Sequence, residues 1–328
     1  MKDLFKINLQ LFAEMNTNVT TDSGMSVEMK TFYDMTLIDE AQPNLVHDQF
    51  GQKRPIPANG GKKIEFRKFA SLPKALTPLT EGVTPDGKKL TAEKIEAEVS
   101  QYGDYIVQSD VLELTTIDNT IVEATKVLGN QAGRTLDTIT RNVLQSGTNV
   151  YYCPKADGTA VDSRSGLDNT CKLTVDVVKR VATILKKNNA PRINGDYVAI
   201  IHPDVAYDLT SDPAWIEVHK YATPENIYEG EIGKVHGVRF VETSEAKIYD
   251  GGVFGSLFLA DGAYGITEIT GGGLQTIVKQ KGSAGTADPL DQRSSVGWKA
   301  MKTAEILVDA YMIRVESKSA FSADEVAN

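Results

Sequence analysis

The residues best placed to do chemistry are His202 and Asp204, which follow a short apolar run that predicts a buried strand. Ligands often bind at strand ends in α/β sheets, so His202, oriented by Asp204 or Asp208, is a candidate general base. A structural interpretation competes with this one. In it, Asp204 caps the helix predicted after Pro203 and His202 fills the turn. We favour the structural interpretation and keep the enzyme as an alternative.

Sequence motifs of common enzymes are absent from the chain. It contains no G-x-x-x-x-G-K-[ST] loop, no G-x-G-x-x-G between a strand and a helix, and no G-x-S-x-G, H-E-x-x-H or C-x-x-C. Cys153 and Cys171 are too few for a disulfide framework, and with four scattered histidines they do not make a four-ligand zinc site. Oxygen ligands leave little trace in a sequence, so a site built from dispersed carboxylates stays open. We therefore predict no catalytic residue, metal or cofactor.

Composition places the chain among ordinary globular proteins. Its 328 residues are 41% apolar and 24% charged, which excludes a wholly disordered, collagen-like or coiled-coil chain. The length allows two or three compact units, or one core with large extensions. A formal net charge of −9 argues against a protein whose main role is to coat nucleic acid. No apolar run approaches the roughly 18 residues of a membrane span.

The first residues do not resemble a secretory signal. Residues 1–14 are weakly amphipathic, with charged and polar residues among the apolar ones. Residues 15–25 are polar and predict a flexible link. We expect residues 1–27 to form an N-terminal arm, which is either a frayed terminus or a segment that docks on a partner. The expected compartment is a reducing cytoplasm, where both cysteines are ordinary thiols.

Two segments predict the strands of a hairpin, because apolar and polar residues alternate in both. They are residues 62–69 and 95–107, with Ile64 and Phe66 on one face of the first. About 25 residues lie between them, and a connection of that length in a compact domain usually has a function. We expect a long two-stranded arm that projects from the body.

The predicted arm is basic. Residues 62–94 contain eight Lys and Arg against four Asp and Glu, a net charge of +4 that leaves −13 for the rest of the chain. A basic projection on an acidic body is suited to the surface of an identical neighbour. A solvated loop and a nucleic-acid finger are the alternatives. The candidate contact residues are Lys62, Lys63, Arg67, Lys68, Lys74, Lys88 and Lys89.

Residues 116–144 predict the longest helix. Apolar residues recur there, from Ile117 to Val143, at a period close to that of an α-helix. Such a helix would be roughly 40 Å long, which suits a spine. Gly129 and Gly133 inside it permit the close approach of a neighbouring element.

The remaining segments alternate helices and strands. A short helix is expected over 26–41 and a loop over 148–172. Beyond them we predict helices over 174–189 and 204–219, and strands over 197–203, 237–243, 255–261, 273–280 and 304–316. A mixed body with a projecting arm, a spine helix and no catalytic signature suggests an assembly subunit.

Several segments resemble the major capsid proteins of tailed bacteriophages, in the family named after phage N-four. The similarity runs from about residue 28 to residue 317 and includes LTPLTEGVTPDG, QYGDYIVQSDVLELT, GNQAGRTLDTITRNVLQSGTN, YVAIIHPDVAYDL and KQKGSAGTADPLDQRSSVGWKA. Taken together these segments are specific, although none is a catalytic motif. Such proteins have the Hong Kong 97 capsid fold.

The resemblance implies an α+β chain of the Hong Kong 97 type, with an extended loop that overlaps an adjacent subunit and an α/β axial domain around the symmetry axes. The implied parts are an N-terminal arm (1–27), a helix and linker (28–61), an extended β-hairpin loop (62–107), a peripheral domain with the spine helix (108–172), an axial domain (173–272), and return strands of the peripheral domain with a C-terminal tail (273–328).

The resemblance also implies a structural protein and not an enzyme. Copies would self-assemble through pentamers and hexamers into an icosahedral head shell that encloses double-stranded DNA without sequence-specific binding. The expected location is the virion, after assembly in the host bacterial cytoplasm and without a membrane. Scaffolding, portal and decoration proteins are further expected partners. The alternatives are a cellular nanocompartment shell of the same fold and a soluble α/β enzyme that uses His202 and Asp204.

Overall fold

The computed structural model describes most of the chain from residue 35 onward. The described residues are 35–41, 44–55, 63–69, 72, 74–79, 81–84, 86–90, 92–115, 120–221, 231–267, 274–283, 288–322 and 325–328. The arm expected over 1–27 lies outside them, and so does the first part of the helix expected over 26–41. Residues 35–41 of that helix are helical.

These described residues form fifteen strands. The strands are β1 (Gln52–Arg54), β2 (Lys63–Phe69), β3 (Ala92–Glu98), β4 (Ser100–Ser109), β5 (Val150–Tyr152), β6 (Tyr197–Ile201), β7 (Glu231–Val235), β8 (Val238–Glu242), β9 (Lys247–Tyr249), β10 (Val253–Leu259), β11 (Tyr264–Thr267), β12 (Leu274–Lys279), β13 (Arg293–Lys302), β14 (Ala304–Ile306) and β15 (Met312–Ser317). The α-helices are α1 (residues 35–41), α2 (Asp110–Thr115), α3 (Thr120–Gln145), α4 (Val175–Lys187), α5 (Pro203–Thr210) and α6 (Pro213–Tyr221).

A seven-stranded sheet forms the centre, in the order β5-β15-β10-β6-β8-β7, with β9 paired to one end of β10. β6 runs parallel to β8 and β15 runs parallel to β5, while the other pairs are antiparallel. Every residue of β6 and β10 is buried, because both faces of the sheet are covered. Ala199 and Phe258 face a core shared with α4, α5 and α6. Val198 and Leu257 face the end of α3 and the small sheet β1-β11-β14.

The longest helix among the described residues, α3, has 26 residues and packs one face against β13. Leu128, Ala132 and Leu136 are buried there together with Trp298. This confirms the helix predicted over 116–144, whose residues 116–119 lie outside the described part.

Two glycines bring α1 against this spine. A Cβ atom at Gly129 would lie 2.9 Å from the carbonyl oxygen of Leu37, and one at Gly133 would lie 2.5 Å from that of Ala41. Both distances are shorter than ordinary van der Waals contact, so only glycine allows the two helices to come this close. The prediction that these glycines permit the approach of a neighbouring element is confirmed.

β2 and β3 form the predicted hairpin, in which Ile64 pairs with Ala97 and Phe66 pairs with Ile95. The apolar face of the hairpin is buried at its base. Phe66 has no exposed surface, and its ring lies against the backbone of Gly265 in β11. The small sheet therefore anchors the hairpin to the body.

The prediction of a single hairpin strand over 95–107 is wrong beyond Glu98. β4 leaves the hairpin and pairs with β13 over ten residues, from Ser100 opposite Lys302 to Ser109 opposite Arg293. A two-stranded ribbon is marginally stable in water, whereas three strands with one face on a helix form a stable unit. β4 reaches that state in the sheet β12-β13-β4, which packs on α3.

β13 is the long strand that the sequence analysis missed. Serine, glycine and lysine interrupt its apolar residues and weaken the signal for a strand. The remaining signal is the alternating series Val296, Trp298 and Ala300, whose side chains lie in the core with α3.

Three further predictions are corrected by the fold. The helix expected over 204–219 is two helices, because α6 starts at Pro213, and proline cannot continue a helix. The strand expected over 304–316 is divided into β14 and β15 by a 3₁₀ turn. The loop expected over 148–172 begins with β5. The predictions that match α4, β6, β8, β10 and β12 are confirmed.

Replacing Gly133 with Ala is expected to destabilise the unassembled chain by about 1–3 kcal/mol, because the new methyl group meets the Ala41 carbonyl in a filled contact. Urea unfolding measures the change. Asn130→Ala, on the exposed side of the same helix, is the matched control and should shift stability by less than about 0.5 kcal/mol. Equal midpoints for the two variants would mean that this contact does not hold α1 in place.

Candidate assembly interface

The loop between β2 and β3 is exposed along its whole described length. Every described residue from 72 to 90 is exposed, including five large apolar side chains. Leu76 is 82% exposed and Leu79 is 78% exposed. Exposed apolar side chains in this number mark a surface that binds another protein. The loop therefore offers apolar contact as well as the positive charge that the sequence predicted.

The hairpin below the loop has a charged outer face. Lys63 lies 2.9 Å from Glu96, and Lys94 lies 2.9 Å from Glu96 and also contacts Glu65. Hydrogen bonds from Lys63 and Lys94 lower the pKa of Glu96 from its ordinary value to about 2. These groups are exposed, so the pairs add little stability but keep the strands in register.

The seven basic residues predicted as contacts divide into three groups. Lys62 lies outside the described residues, as does the side chain of Lys68, whose backbone belongs to β2. Lys63 pairs with Glu96 of its own chain. The remaining four are exposed and have no ion pair within the described part of the chain; they are Arg67, Lys74, Lys88 and Lys89.

A second apolar surface covers the outer face of the sheet β12-β13-β4 and continues onto α2. Tyr105 is 69% exposed and Leu114 is 81% exposed. The backbone N–H of Asp110 donates to the carbonyl of Gln292 at 2.9 Å, which brings the turn with the exposed Leu290 beside α2. We call this surface the apolar sheet face; its members are Tyr105, Val107, Val111, Leu114, Ile277 and Leu290.

A groove lies on the apolar sheet face beside Gly297. Gly297 lies between Ile277 and Tyr105 in adjacent strands, and a Cβ atom there would lie 2.7 Å from the Cβ of Tyr105, so only glycine allows this approach. The groove measures about 440 Å³ and is lined by Tyr105, Ile277 and Lys299 among others. Its walls combine apolar residues such as Tyr105 and Ile277 with polar ones such as Gln101 and Ser295, and its size suits the insertion of a side chain from a partner.

Charges of both signs surround the apolar sheet face. Residues 104–115 contain Asp104 and Asp110 and no Lys or Arg, and the turn 288–292 adds Asp291, whereas Lys279 and Lys299 belong to β12 and β13 of the same sheet. The sequence analysis missed this surface, because β4 was assigned to the hairpin. The alternation in residues 100–109 was a visible signal for a strand with one exposed face.

A buried polar cluster holds the body beneath these surfaces. The Asp137 carboxylate on α3 makes two contacts with His47. One oxygen accepts the backbone N–H of His47 at 2.7 Å, and the other lies 2.7 Å from the ring Nδ1. The Tyr264 hydroxyl donates to the carbonyl oxygen of His47. Burial raises the pKa of Tyr264 well above its ordinary value, so this hydroxyl stays a donor. These contacts tie the loop 44–50 to α3 and β11.

The same cluster contains a buried ion pair. Asp48 contacts the ammonium group of Lys302 and accepts a hydrogen bond from the Thr140 hydroxyl at 2.6 Å. The Lys302 side chain is fully buried. The sequence signal was weak: Asp137 and Thr140 are polar residues on the apolar side of a helix, which indicates buried partners without naming them.

A second buried carboxylate organises the edge of the central sheet. Glu316 accepts two hydrogen bonds from the Arg164 guanidinium, at 2.7 and 2.6 Å, and one from Arg314 at 3.0 Å. Arg164 also stacks 3.5 Å above the Tyr249 ring. This arrangement holds the loop after β5 against β15.

His202 and Asp204 form a helix cap. His202 Nδ1 accepts the backbone N–H of Asp204 at 3.2 Å, so His202 and not Asp204 is the residue that caps α5. Its ring packs against Phe254 with 4.9 Å between centroids, and burial lowers the pKa of His202. Asp204 in turn accepts a hydrogen bond from Ser322. The structural interpretation is confirmed in that the pair starts a helix, but its assignment of the cap to Asp204 is wrong, because His202 takes that role.

Searches for other kinds of site cover only the described residues. They contain no group of three His, Cys, Asp or Glu side chains arranged to hold a metal ion. None of the helices in the described ranges is long and apolar enough to cross a bilayer. Cys153 and Cys171 are buried and not linked to each other, and burial raises the pKa of Cys153.

Comparison with known proteins identifies the architecture. A family model described as phage capsid protein matches residues 92–313. The capsid of cyanophage P-SCSP1u is similar in structure, with a TM-score of 0.63, 15% identity, and coverage of 84% of this chain and 89% of that one. The capsid of Ralstonia phage GP4 has a TM-score of 0.61 and 15% identity over 82% of this chain and 86% of its own.

A cellular shell protein is also similar. The SrpI encapsulin of Synechococcus elongatus has a TM-score of 0.56 and 10% identity, with 88% of this chain and 92% of that chain covered. No curated protein matches the sequence. At such low identities, the structural similarities establish only the fold, which is of the Hong Kong 97 type. The assignment to a family depends on the family model.

Replacing Lys302 with Met is expected to destabilise the unassembled chain by about 3–5 kcal/mol, because Asp48 keeps a buried charge without its cation. Thermal unfolding measures the loss. Lys299→Met, on the same strand but half-buried, is the control and should cost less than about 1 kcal/mol. The double variant D48N/K302M should recover part of the loss, and its failure to do so would argue against the ion pair as the cause.

The charged hairpin predicts a specific response to acid. The pKa of Glu96 is lowered in the folded chain, so its contribution to stability is present above the ordinary pKa of 4.5 and is lost as the pH falls towards about 2. Carboxyl-carbon NMR titration of the unassembled chain should show this, and K63Q/K94Q should raise the pKa of Glu96 towards its ordinary value. An unchanged titration in that variant would contradict the pairing.

Proposed function

The chain belongs to the phage capsid protein family, and from that premise we propose that its copies assemble through pentamers and hexamers into the icosahedral head shell around the double-stranded DNA of a tailed bacteriophage. It is a major capsid protein, and its place is the virion. Assembly in the host bacterial cytoplasm, and contacts with scaffolding, portal and decoration proteins, belong to the proposal.

One observation carries the proposal: the same chain exposes a projecting apolar loop and, elsewhere, an apolar sheet face with a groove. The loop presents Leu76 and Leu79 to solvent, and the sheet face presents Tyr105 and Leu114. Two different surfaces that bind each other between copies give a heterologous contact, which closes into rings when the rotation between copies allows it. Rings of this kind are the units of a shell.

In this proposal the loop of one copy lies over the apolar sheet face of the next. Leucine side chains from the loop would enter the groove above Gly297 in the neighbour. Lys74, Lys88 and Lys89 would meet Asp110 and Asp291 at the edge of that face. Opposite charges at the rim favour the correct register over other arrangements. The contact role of Lys62, Lys63, Arg67 and Lys68 is proposed on the same grounds.

The proposed shell assigns a role to each part of the chain. The arm would be residues 1–27, the helix and linker 28–61, and the extended loop 62–107, with β4 as the support of that loop. The peripheral domain would be 108–172 together with the returning strands of 273–328, and the axial domain would be 173–272. Support comes from the packing of α3 on the sheet β12-β13-β4 as one unit, beside the central sheet.

A nanocompartment shell is the second candidate, because an encapsulin has the same fold. The contents of the particle distinguish the two: a phage head holds nucleic acid, whereas a nanocompartment holds a protein cargo. The family model favours the phage head. The soluble enzyme that would use His202 and Asp204 has no such support, since His202 caps α5 and Asp204 bonds to Ser322.

The double variant L76D/L79D is expected to abolish assembly, with at least a tenfold loss of particles, because it places charge where the loop must enter an apolar groove. Negative-stain electron microscopy and light scattering measure the particles, and circular dichroism measures folding. T77D/T84D adds the same charge at polar, exposed positions of the same loop and is the matched control. Tyr105→Asp on the receiving face should reproduce the loss.

Two results would contradict the proposal in different ways. Normal particles from L76D/L79D would mean that the loop is not the contact. A wild-type chain that stays monomeric at high concentration, with phage lysate present to supply a scaffold, would count against the shell itself.

A further inference from the structure

One face of α4 is a row of basic side chains that the shell contact does not use. Lys179, Thr183 and Lys186 follow one another at the spacing of a single helix face, and Arg180 and Lys187 lie beside them. All five are exposed. The opposite face, with Val177, Val181 and Leu185, is buried in the main core. We call the exposed residues Lys179, Arg180, Thr183, Lys186 and Lys187 the α4 stripe.

The charge of the α4 stripe contrasts with that of the chain. The helix contains four basic residues and one acidic residue, in a protein with a net charge of −9. Arg180 pairs with that acidic residue, Asp176, at 2.8 Å. Lys179, Lys186 and Lys187 have no ion pair within the described residues. Three lysines thus remain available to a partner.

Helix stabilisation explains only part of this arrangement. Lys186 and Lys187 lie in the last turn, where positive charge is favourable to the helix dipole. Lys179 is in the second turn, where that effect is absent. The stripe therefore extends beyond what the helix itself requires.

The composition of the stripe indicates the kind of partner. No large apolar side chain of α4 is exposed, whereas the neighbouring helices α5 and α6, which share its core, expose Tyr207 and Ile216. Cores of protein–protein interfaces are rich in aromatic and apolar residues and poor in lysine. Contacts to a phosphate backbone, in contrast, are made by Lys and Arg with small polar side chains, which is the composition of the stripe. A nucleic acid fits this surface better than another copy of the chain does.

We propose that the α4 stripe lines the inner wall of the shell and contacts the phosphate backbone of the enclosed double-stranded DNA without reading its sequence. This inference depends on the proposed function, because it needs a DNA-filled head. From Lys179 to Lys187 the stripe is about 12 Å long. One DNA strand has a phosphate about every 3.4 Å of helix axis, so the stripe is long enough to contact more than one of them.

The three lysines of the α4 stripe determine how strongly it binds DNA. Each phosphate that a lysine neutralises contributes about −0.9 to the slope of log K against log salt. Three lysines in one copy hold DNA weakly at physiological salt, and the acidic remainder of the chain does not add to the attraction. The contact would order the outer layer of DNA and still let it move during filling and release.

Photo-crosslinking of DNA-filled heads tests where the stripe lies. Ultraviolet irradiation followed by mass spectrometry should find nucleotide adducts on peptides that contain residues 175–192. Lysine acetylation should modify Lys179, Lys186 and Lys187 several-fold less in filled heads than in emptied ones. Adducts on other peptides but none here would overturn the inference. Equal protection in filled and emptied heads would also overturn it and assign the stripe to a neighbouring subunit.

A salt titration tests the stripe without a head. We measure binding of a 30-base-pair DNA duplex to the unassembled full chain at several salt concentrations. In K179Q/K186Q/K187Q the slope of log K against log salt should become less negative by about 2.7, that is, by 0.9 for each lysine. The control K126Q/K155Q/K234Q makes the same charge change at three lysines that are ion-paired within the chain and should lose less. Equal slopes for the two variants would overturn the inference. If no heads form at all, the proposed function fails, and this titration still decides whether the stripe binds DNA.

Discussion

The architecture depends on the constraint that a buried charge needs a buried partner. Asp48 and Asp137 are both in the interior, where an unpaired carboxylate is costly. Asp137 is held by His47 and Asp48 by Lys302, and these partners come from distant parts of the chain. Satisfying the two carboxylates therefore fixes the loop 44–50, α3 and the end of β13 relative to one another. The hairpin is attached to the same region through β11, because the Phe66 ring lies against Gly265.

The exposed surfaces differ in chemistry, and each difference corresponds to a different partner. The loop and the apolar sheet face expose large aliphatic and aromatic side chains, which water disfavours and another copy of the chain can cover. The α4 stripe exposes only charged and polar groups, which water solvates well and a phosphate backbone can neutralise. In the proposed shell, one chain separates cohesion between subunits from contact with the contents.

Elements with a strong local period were predictable from the sequence. The spine helix and the role of Gly129 and Gly133 followed from helical spacing and from the absence of a Cβ atom. The pairing faces of β2 and β3 followed from alternation. β13 was missed because its exposed positions are small or charged, and β4 was assigned to the hairpin because alternation does not say which strand is the partner. The basic loop residues were found from charge, whereas the apolar sheet face was not found at all.

The class of the protein was readable from residue types and their spacing: a mixed α and β chain with a basic hairpin, a long spine helix and no catalytic motif, similar to phage capsid proteins. These features depend on residue types and short-range spacing, which can be read along the chain. Three other features follow from the three-dimensional packing alone: Lys302 meets Asp48, Gly297 lies close against Tyr105, and His202 is a helix cap. Each of these depends on which distant segments become neighbours, and that is settled by the burial of apolar faces and the pairing of buried charges across the whole fold.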